Sequence, residues 1–283
     1  MTTVIIAAHD EESVIGSCLD ALLAQSDGHP LEVVVSANGC SDRTADIARE
    51  RPVTVIERAE PGKAGALNAG DAAASTFPRI YLDADIVVPD GALRDLCAAL
   101  AAPGVAAAVP RRRIDTRGRP LLVKAYFAIN ERLPAFRTGL FGRGVIALSE
   151  AGRGRFEQFP TLIADDLFLD SLFAPAEKVQ VPTVEIRVEA PYRTRDLLAR
   201  LIRVRRGNAQ LRAAAGAGDL AAAVRPSARW SWLRDVVLRE PRLAVAAVPY
   251  VLITVLAGAL ARREGATGWG RDSSTRGAKG PAR

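Results

Sequence analysis

The chain has 283 residues, of which 49% are hydrophobic and 25% charged, a composition that excludes disorder of the whole and allows one large domain with an appendage. Its 38 Lys and Arg against 32 Asp and Glu give a net charge of +6, which favours anionic partners such as phosphates or acidic lipid surfaces. Aromatic residues make up only 5% of the chain and are not interleaved with the basic ones, so we expect no nucleic-acid partner.

The first 110 residues alternate short β-branched runs with amphipathic stretches. Buried parallel strands are predicted at residues 4–6, 33–35, 53–56 and 80–82. Helices are predicted at residues 14–23, 44–49, 64–74 and 92–100. This alternation predicts a doubly wound α/β sheet, whose ligands bind outside the carboxyl ends of the strands. The segments that follow the strands are therefore the candidates for chemistry: residues 9–12, 36–42, 59–63 and 83–85.

The turns after the second and third strands carry groups suited to phosphate. Gly39 is free to take a positive φ, and Pro61-Gly62-Lys63 presents an ammonium group near a helix start. A solvated surface lysine is the alternative for Lys63. Asp42 has the position of a helix N-cap, a structural role as well supported as ligand contact.

A pair of carboxylates, Asp83 and Asp85, follows the fourth predicted strand. Both turn into the crevice only if the backbone leaves the regular pleat there. Together they offer hard oxygen ligands to Mg²⁺ or Mn²⁺, to which a diphosphate would add further ligands. Aspartates also end strands because they cap helices and make turns, so the metal hypothesis depends on the position after an apolar strand of a doubly wound sheet.

The pattern from residue 111 to residue 200 is looser and predicts an α+β extension of the same sheet. Expected there are basic loops, a strand at residues 145–148, a helix at 165–173 and strands around 179–188. Asp165 and Asp166 open that helix, and adjacent residues cannot face the same way on a helix. We expect one of them to cap the helix while the other points into the site as a general base. Two acids favoured only by the helix dipole are the alternative.

A cationic cluster formed by Arg203, Arg205 and Arg206 is suited to neutralise a departing nucleotide diphosphate, with a solvated basic face or a lipid contact as the alternative. An Ala/Gly run at residues 212–225 follows it, and it marks a soft boundary. We therefore expect a catalytic domain at residues 1–212 and a helical C-terminal extension at residues 213–283.

The strongest apolar run lies at residues 243–261, nineteen residues without a charge. At ~1.5 Å per residue it just reaches across a hydrocarbon core of roughly 30 Å. It contains Pro249, and a basic tail at residues 262–283 follows it, so a single span from a cytoplasmic catalytic part would export positive charge against the usual tendency. An in-plane or re-entrant membrane helix fits both facts, and a buried helix of a soluble protein is the alternative.

The cysteines and the start of the chain bear on its location. Cys18, Cys40 and Cys97 are widely spaced, which indicates neither a disulfide framework nor a thiolate metal site and fits a reducing cytoplasm. His9 and His29 are too few for a His-rich zinc site. The chain opens on a strand-like run rather than on a secretory signal, so we expect the catalytic part in the cytoplasm, at the cytoplasmic face of the cell membrane.

Taken in order, these segments resemble the family-two glycosyltransferases of the GT-A fold. The opening VIIAAHDEE is similar to that family's strand followed by Pro-x-Tyr-Asn-Glu-Glu, and VVVSANGCSD to its Asp-Asp-Gly-Ser-x-Asp nucleotide segment. KAGALN resembles its Lys-Ala-x-Ala-Leu-Asn helix, and LDAD its metal-binding motif. GRGV, the Asp165-Asp166 pair and residues 203–207 stand in the places of its acceptor-side Gly segment, Glu-Asp pair and Gln-x-x-Arg-Trp loop. The resemblance covers about residues 1–210.

The resemblance implies a metal-dependent, inverting transfer of a sugar from a nucleotide diphosphate to an acceptor hydroxyl. It implies that Asp83 and Asp85 hold Mg²⁺ or Mn²⁺ and that Asp166 is the catalytic base, with Asp165 beside it. The residues that it places at the donor nucleotide or its diphosphate are Ala8, Glu12, Asn38, Asp42, Lys63, Asp83, Arg203 and Arg206.

The chain also departs from the family pattern. Ala37 and Asn38 stand where the family carries acids, and no Trp follows Arg206. UDP is the expected donor nucleotide by analogy alone. Basic residues at 111–119 and 137–155 permit a phosphorylated, lipid-diphosphate or acidic glycan acceptor, and we expect a glycan or lipid-linked acceptor in cell-envelope or exopolysaccharide assembly, with an anionic membrane surface as a further partner.

Two other functional classes stay open on the sequence. A sugar-phosphate nucleotidyltransferase also combines an α/β sheet with metal-binding carboxylates, but it usually carries a Gly-rich basic loop where this chain has residues 9–12. A non-catalytic, membrane-associated scaffold of the same fold is the second alternative. The presence of both acid pairs, at residues 83–85 and 165–166, argues against it.

Overall fold

The computed structural model describes residues 1–26, 30–161, 164–218, 223–226 and 228–263. His29 and the basic tail beyond residue 263 lie outside these residues.

A seven-stranded mixed sheet forms the centre of the molecule. Its strands are β1 (Thr2–Ala8), β2 (Leu31–Asn38), β3 (Thr54–Arg58), β4 (Arg79–Asp83), β5 (Ala107–Asp115), β6 (Val145–Leu148) and β7 (Lys178–Glu189). They lie in the order β3-β2-β1-β4-β6-β5-β7. The first four are parallel to one another, β6 runs antiparallel to β4 and β5, and β5 is parallel to β7. The predicted α/β sheet and its α+β extension are confirmed.

Helices cover both faces of the sheet. They are α1 (Ile15–Leu23), α2 (Thr44–Arg49), α3 (Lys63–Ala73), α4 (Ala92–Leu100), α5 (Leu121–Asn130), α6 (Ala135–Thr138), α7 (Glu150–Arg153), α8 (Asp165–Ser171), α9 (Thr194–Ala217) and α10 (Ala244–Ala261). Successive side chains of β1 point to opposite faces, so Val4 and Ile6 pack with α1 and α4 while Ile5 packs with α3 and α8. Burial of both faces explains the continuous apolar runs of the parallel strands.

One region differs from the expectation of basic loops, and a second forms a helix that begins well before the Ala/Gly run, for which a helix and a connector had both been open. Residues 107–115 form β5, whose Arg111 and Arg113 point outward and pair with Glu185 of β7 at 3.5 Å. The segment is a strand because it pairs with β7, which lies far away in the sequence. Residues 194–217 form the long helix α9, rich in Arg, Leu and Ala, which favour helix. The boundary expected between residues 212 and 213 falls inside α9, so the two-part division stays a proposal.

The apolar run forms α10, which packs against α5 and α9. Ala247, Tyr250, Ile253 and Ala257 lie on its buried side, and Tyr250 stacks on Tyr126 of α5 with ring centroids 5.1 Å apart. The opposite side exposes a stripe of large apolar residues: Val245, Val248, Leu252, Val255 and Leu256. Among the described residues, the segment Pro241–Ala261 is the one helix long and apolar enough to cross a membrane.

Candidate active site

A cleft of ≈ 390 Å³ opens at the carboxyl ends of β1 and β4. The start of α8 forms one wall, and the end of β7 with one face of α9 forms another. Six of the residues that the sequence assigns to catalysis, the metal or the donor line it: Lys63, Asp83, Asp85, Asp165, Asp166 and Arg203. This is the edge of the sheet at which ligands of doubly wound folds bind.

The backbone leaves the pleat directly after β4, as expected for two acids that share one crevice. The N–H of Asp83 still donates to the carbonyl of Gly144 at 2.8 Å, and the N–H of Ile86 then closes a turn onto the carbonyl of Asp83 at 3.1 Å. Because the turn reverses the chain, Asp83 and Asp85 both line the cleft.

Lys63 lies between two of the cleft carboxylates. It opens α3, and its Nζ lies 2.8 Å from Asp83 Oδ1 and 2.8 Å from Asp165 Oδ2. Burial opposes the charged form, but the carboxylates of Asp165 and Asp83 outweigh it and raise the pKa of Lys63 well above its ordinary value. The alternative of a solvated surface lysine is wrong, because only 29% of the side chain is exposed.

Asp165 and Asp166 point in different directions, yet both line the cleft. Asp165 reaches Lys63, whereas Asp166 Oδ2 accepts the N–H of Gly142 at 3.0 Å. The expectation that one of them caps α8 is wrong, because the N-cap residue is Ala164 and no side-chain cap bond forms. Asp165 is drawn to Lys63, whereas Asp166, inside the first turn, accepts the N–H of Gly142 with Oδ2 and the N–H of Leu167 with Oδ1 at 2.7 Å.

The pKa of Asp166 is raised to about 6, first by burial and then by the negative charge of Asp165, while the positive charge of Lys63 opposes both. A carboxylate with this pKa is mostly ionised at pH 7 and is a stronger base than an ordinary aspartate. This is the property that a general base requires.

A two-glycine turn connects the acids of β4 with those of α8. The N–H of Gly142 binds Asp166, and the carbonyl of Gly144 binds the N–H of Asp83. Gly144 has φ +70°, and a Cβ there would lie 2.6 Å from Cγ1 of Ile86 and 3.1 Å from Oδ2 of Asp83. A side chain at this position would therefore displace an acid of the cleft.

Arg143, between these glycines, is a structural residue. Its guanidinium is fully buried and donates to the carbonyls of Pro110, Gly139, Phe141 and Phe136. Burial lowers its pKa to about 10, against the opposing effect of the negative charges of Asp170 and Asp166. Although Arg143 belongs to the basic segment expected on the acceptor side, its donors are used within the protein.

Asn38 and Ala8 are fully buried and lie outside the cleft lining. Nδ2 of Asn38 donates to the Ala8 carbonyl at 2.7 Å, and its Oδ1 accepts the N–H of Gly62 at 2.8 Å. Asn38 thus ties β1 and β2 to the turn that presents Lys63. Direct contact of these two residues with a nucleotide stays a prediction.

Glu12 and Asp42 brace two neighbouring loops near the surface. The N–H of Glu12 donates to Asp42 Oδ2 at 3.1 Å, and Glu12 Oε2 accepts the N–H of Arg43 at 3.2 Å. Asp42 Oδ1 also accepts the N–H of Thr44 at 3.0 Å, at the start of α2. Their structural role is thus visible, they too lie outside the cleft lining, and their contact with a nucleotide stays a prediction.

A second group of metal-ligand atoms lies beside this brace, where Asp10, Cys40 and Asp42 present atoms within 4.8 Å of one another. The carboxylates of this group are used locally, because Asp10 Oδ1 accepts the N–H of Ser41 at 2.7 Å and Asp42 binds Thr44. The acids of β4 and α8, by contrast, line the cleft.

The arginines of the predicted cluster separate on α9. Arg203 lines the cleft, but Arg206 donates to the carbonyls of Ala261 at 3.3 Å and Arg263 at 3.1 Å. The predicted contact of Arg206 with a diphosphate disagrees with this placement. The physical reason is the orphan carbonyls at the end of α10, which attract a cationic donor.

Two cleft arginines were missed in the sequence, Arg187 of β7 and Arg200 of α9. Arg200 precedes Arg203 by three residues, so the two share a helix face, a signal that appears once the segment is treated as a helix. Arg187 follows the buried Ile186 in β7, and because successive side chains of a strand point to opposite faces, Arg187 lies on the face away from that core. His9 and Glu11, after β1, also line the cleft.

Comparison with known proteins agrees with this geometry. The sequence profile of glycosyl transferase family 2 matches residues 3–150, which include β1 to β6 and the acids after β4. No curated protein sequence matches the chain.

Solved structures show the same fold. A mannosyltransferase from Pyrobaculum calidifontis in complex with GDP-Man and Mn²⁺ has a TM-score of 0.58 and 23% identity, over 93% of this chain and 81% of that one. Mannosyl-3-phosphoglycerate synthase from Rubrobacter xylanophilus has a TM-score of 0.57 and 19% identity, over 83% and 80%. Glucosyl-3-phosphoglycerate synthase from Mycobacterium tuberculosis with Mn²⁺, UDP and its product has a TM-score of 0.51 and 22% identity, over 66% and 70%. At these identities the likeness shows the GT-A fold.

Proposed function

The chain belongs to glycosyl transferase family 2, and from this premise we propose that it is a metal-dependent, inverting enzyme that moves a sugar from a nucleotide diphosphate to an acceptor hydroxyl. Membership makes it a glycosyltransferase and sets aside the nucleotidyltransferase and scaffold alternatives. The observation that carries the finer proposal is the meeting of Asp83, Asp85, Asp165 and Asp166 in one cleft.

The acids after β4 fit a divalent cation. Asp83 and Asp85 offer carboxylate oxygens, which Mg²⁺ and Mn²⁺ prefer. The ammonium group of Lys63, 2.8 Å from Asp83, is itself a cation drawn to these carboxylates. When bound, the metal would neutralise charge on the donor diphosphate and on the leaving group.

Asp166 is the proposed base. Its carboxylate is held by Gly142, and its pKa of about 6 leaves it ionised at neutral pH. The acceptor hydroxyl would give its proton to Asp166 while its oxygen bonds to the anomeric carbon and the bond from that carbon to the diphosphate breaks. Because this is one displacement, the anomeric configuration inverts.

Positive side chains would assist the leaving diphosphate. Lys63 lies beside the acids, and Arg203 of α9 also lines the cleft. Charge-assisted hydrogen bonds from such groups are about twice as strong as neutral ones. Lys63 would exchange part of its contact with Asp83 for a phosphate oxygen.

UDP is the donor nucleotide that we propose by default. The glucosyl-3-phosphoglycerate synthase of the same fold was crystallised with UDP and Mn²⁺, but the mannosyltransferase carries GDP-Man, so the base needs a direct test. Thermal shifts of the protein with UDP, GDP, dTDP and CDP, each with and without Mn²⁺, provide it. We expect one diphosphate to raise Tm only with the metal. Equal shifts without metal would contradict the metal-dependent mechanism.

The helical extension supports a proposed membrane surface as a further partner. The exposed stripe of α10 includes Val248 and Leu252, and Arg242 and Arg262 flank the helix. An in-plane helix of this kind binds anionic lipid through apolar burial and charge. We therefore propose that the enzyme acts at the cytoplasmic face of the cell membrane. Its acceptor would be a glycan or a lipid-linked molecule in cell-envelope or exopolysaccharide assembly. Co-sedimentation with phosphatidylglycerol vesicles, reduced by Val248→Ser with Leu252→Ser, checks this, and undiminished sedimentation of the double variant would contradict it.

A further inference from the structure

The cleft is electrically divided between its two walls. The wall formed by the end of β4 and the start of α8 carries the four aspartates. Another wall carries Arg187 of β7 with Arg200 and Arg203 of α9, and we name it the basic wall, although Glu189 of β7 also lines the cleft there. A ligand that fills the cleft therefore has both carboxylates and guanidinium groups within its lining.

Arg200 contributes positive charge that nearby acids do not neutralise. Among the residues that the structure describes, no carboxylate lies within 4.0 Å of its guanidinium. Its charged neighbour is Arg112, which packs on the Phe136 ring at 3.4 Å and donates to Asn130 Oδ1 at 2.9 Å. The pKa of Arg112 is lowered to about 9, first by burial and then by the positive charges of Arg143 and Arg200, while the negative charge of Glu131 opposes the shift. Arg200 therefore adds its charge to that of other arginines beside the cleft.

Two acids beside Arg187 are already paired with other arginines. Glu189, which also lines the cleft, forms an ion pair with Arg119 at 2.5 Å. The acid nearest to Arg187 is Asp115, at 3.8 Å, and Asp115 is bound more closely by Arg117 at 2.5 Å. The side chain of Arg187 is 58% exposed where it lines the cleft. An anion from outside would complete the charge balance.

We propose that Arg187 and Arg200 form a subsite for a phosphate group of the acceptor, separate from the place of the donor diphosphate. This inference rests on the proposed function, which assigns Asp83, Asp85, Lys63 and Arg203 to the donor. Two guanidinium forks match the tetrahedral oxygens of a phosphomonoester, and Arg is preferred over Lys where such planar recognition is needed. Bound there, the phosphate holds the acceptor so that its hydroxyl faces the acidic wall, where Asp166 lies.

A phosphate of this kind has two sources, a soluble phosphorylated metabolite or the headgroup of a lipid. Val204, on the cleft face of α9, is an exposed apolar residue next to Arg203, and α10 with its apolar stripe packs on another side of the same helix. Both sources present a phosphomonoester, and the two are distinguished by whether an attached alkyl chain adds to binding.

The test is a titration of a complex that cannot react. The protein is first saturated with Mg²⁺ and with the nucleoside diphosphate that stabilises it most, and glycerol phosphate is then titrated by calorimetry, with glycerol as the neutral comparison. We expect glycerol phosphate to bind and glycerol not to bind. Decyl phosphate below its micellar concentration forms the second arm: tighter binding than glycerol phosphate identifies a lipid headgroup, and equal binding identifies a soluble phosphate.

Variants locate the subsite. We expect Arg200→Gln and Arg187→Gln each to weaken phosphate binding about tenfold or more, with the affinity for nucleotide and Mg²⁺ unchanged. Arg195→Gln is the matched control, because Arg195 is on α9 with 73% of its side chain exposed and lies outside the cleft. Loss of nucleotide affinity in Arg200→Gln would overturn the subsite, since the arginine would then serve the donor. Failure of the wild type to bind any nucleotide with metal would instead refute the proposed function.

Discussion

The two walls of the cleft are built in different ways. The acidic wall consists of short side chains at the end of a strand and the start of a helix, fixed by backbone contacts through Gly142 and Gly144. The basic wall consists of long side chains that reach inward from β7 and α9. Short acids on a braced turn hold a fixed geometry, which bond formation and proton transfer require, whereas long arginines adapt to a substrate. We therefore expect chemistry to depend on the first wall and acceptor recognition on the second.

The largest effect should follow from removing the base of the acidic wall. We expect Asp166→Asn to lower kcat about 10²–10⁴-fold, because the amide takes no proton from the acceptor hydroxyl, although its single oxygen still accepts one of the two N–H groups, of Gly142 or of Leu167, that the carboxylate binds. Donor affinity, measured by titration with the nucleotide and Mn²⁺, should stay near that of the wild type. Asp46→Asn, an exposed acid on α2, is the control and should retain full turnover. Wild-type kcat in Asp166→Asn would remove Asp166 from the chemistry.

A structural arginine sharpens the contrast between the walls. We expect Arg143→Met to lower the free energy of unfolding by roughly 3 kcal/mol, because buried carbonyls lose a charged donor. Urea unfolding followed by circular dichroism measures it. Arg111→Met, with 59% of the arginine side chain exposed, should change stability by less than about 0.5 kcal/mol. Equal stability of both variants would mean that the four carbonyls around Arg143 do not depend on its guanidinium.

The smallest effect concerns the pH dependence of the acidic wall. With the pKa of Asp166 at about 6, the base is protonated at lower pH, so transfer should fall as the pH drops through that value. The negative charge of Asp165 is a cause of this raised pKa, second to burial. We therefore expect the acid limb of kcat to move to lower pH in Asp165→Asn, by a small amount because burial remains. A limb that moves to higher pH would show that Asp165 does not act on Asp166 through its charge.

The acidic wall could be predicted from the sequence because its residues lie at the ends of secondary-structure elements. Asp83 and Asp85 follow an apolar strand, and Asp165 and Asp166 open a helix, so local pattern places them at the correct edge of the sheet. The first four strands and their helices followed from periodicity for the same reason. The failed expectation, a cap on α8, required knowledge of the contact with Lys63, which is about a hundred residues away.

The basic wall could not be predicted with equal success, because it depends on helix phase and distant pairing. Arg203 and Arg206 are close in sequence, but only the first lines the cleft, since the end of α10 binds the second. Arg187 belongs to a strand whose partner, β5, had been expected as loops. Contacts between distant segments decide which of the many arginines face the cleft, and a single sequence does not reveal them.

The proposed transfer depends most on a divalent cation held by the acids after β4. Calorimetric titration of Mn²⁺ in the presence of UDP, or of the nucleoside diphosphate that stabilises the protein most, tests this directly. Asp85 is exposed in its turn, so Asp85→Ala should leave the circular dichroism spectrum unchanged. We predict that the wild type binds Mn²⁺ together with the nucleotide. Asp85→Ala and Asp83→Ala should each bind both the metal and the nucleotide more weakly than the wild type. Undiminished Mn²⁺ binding in both variants would contradict the account.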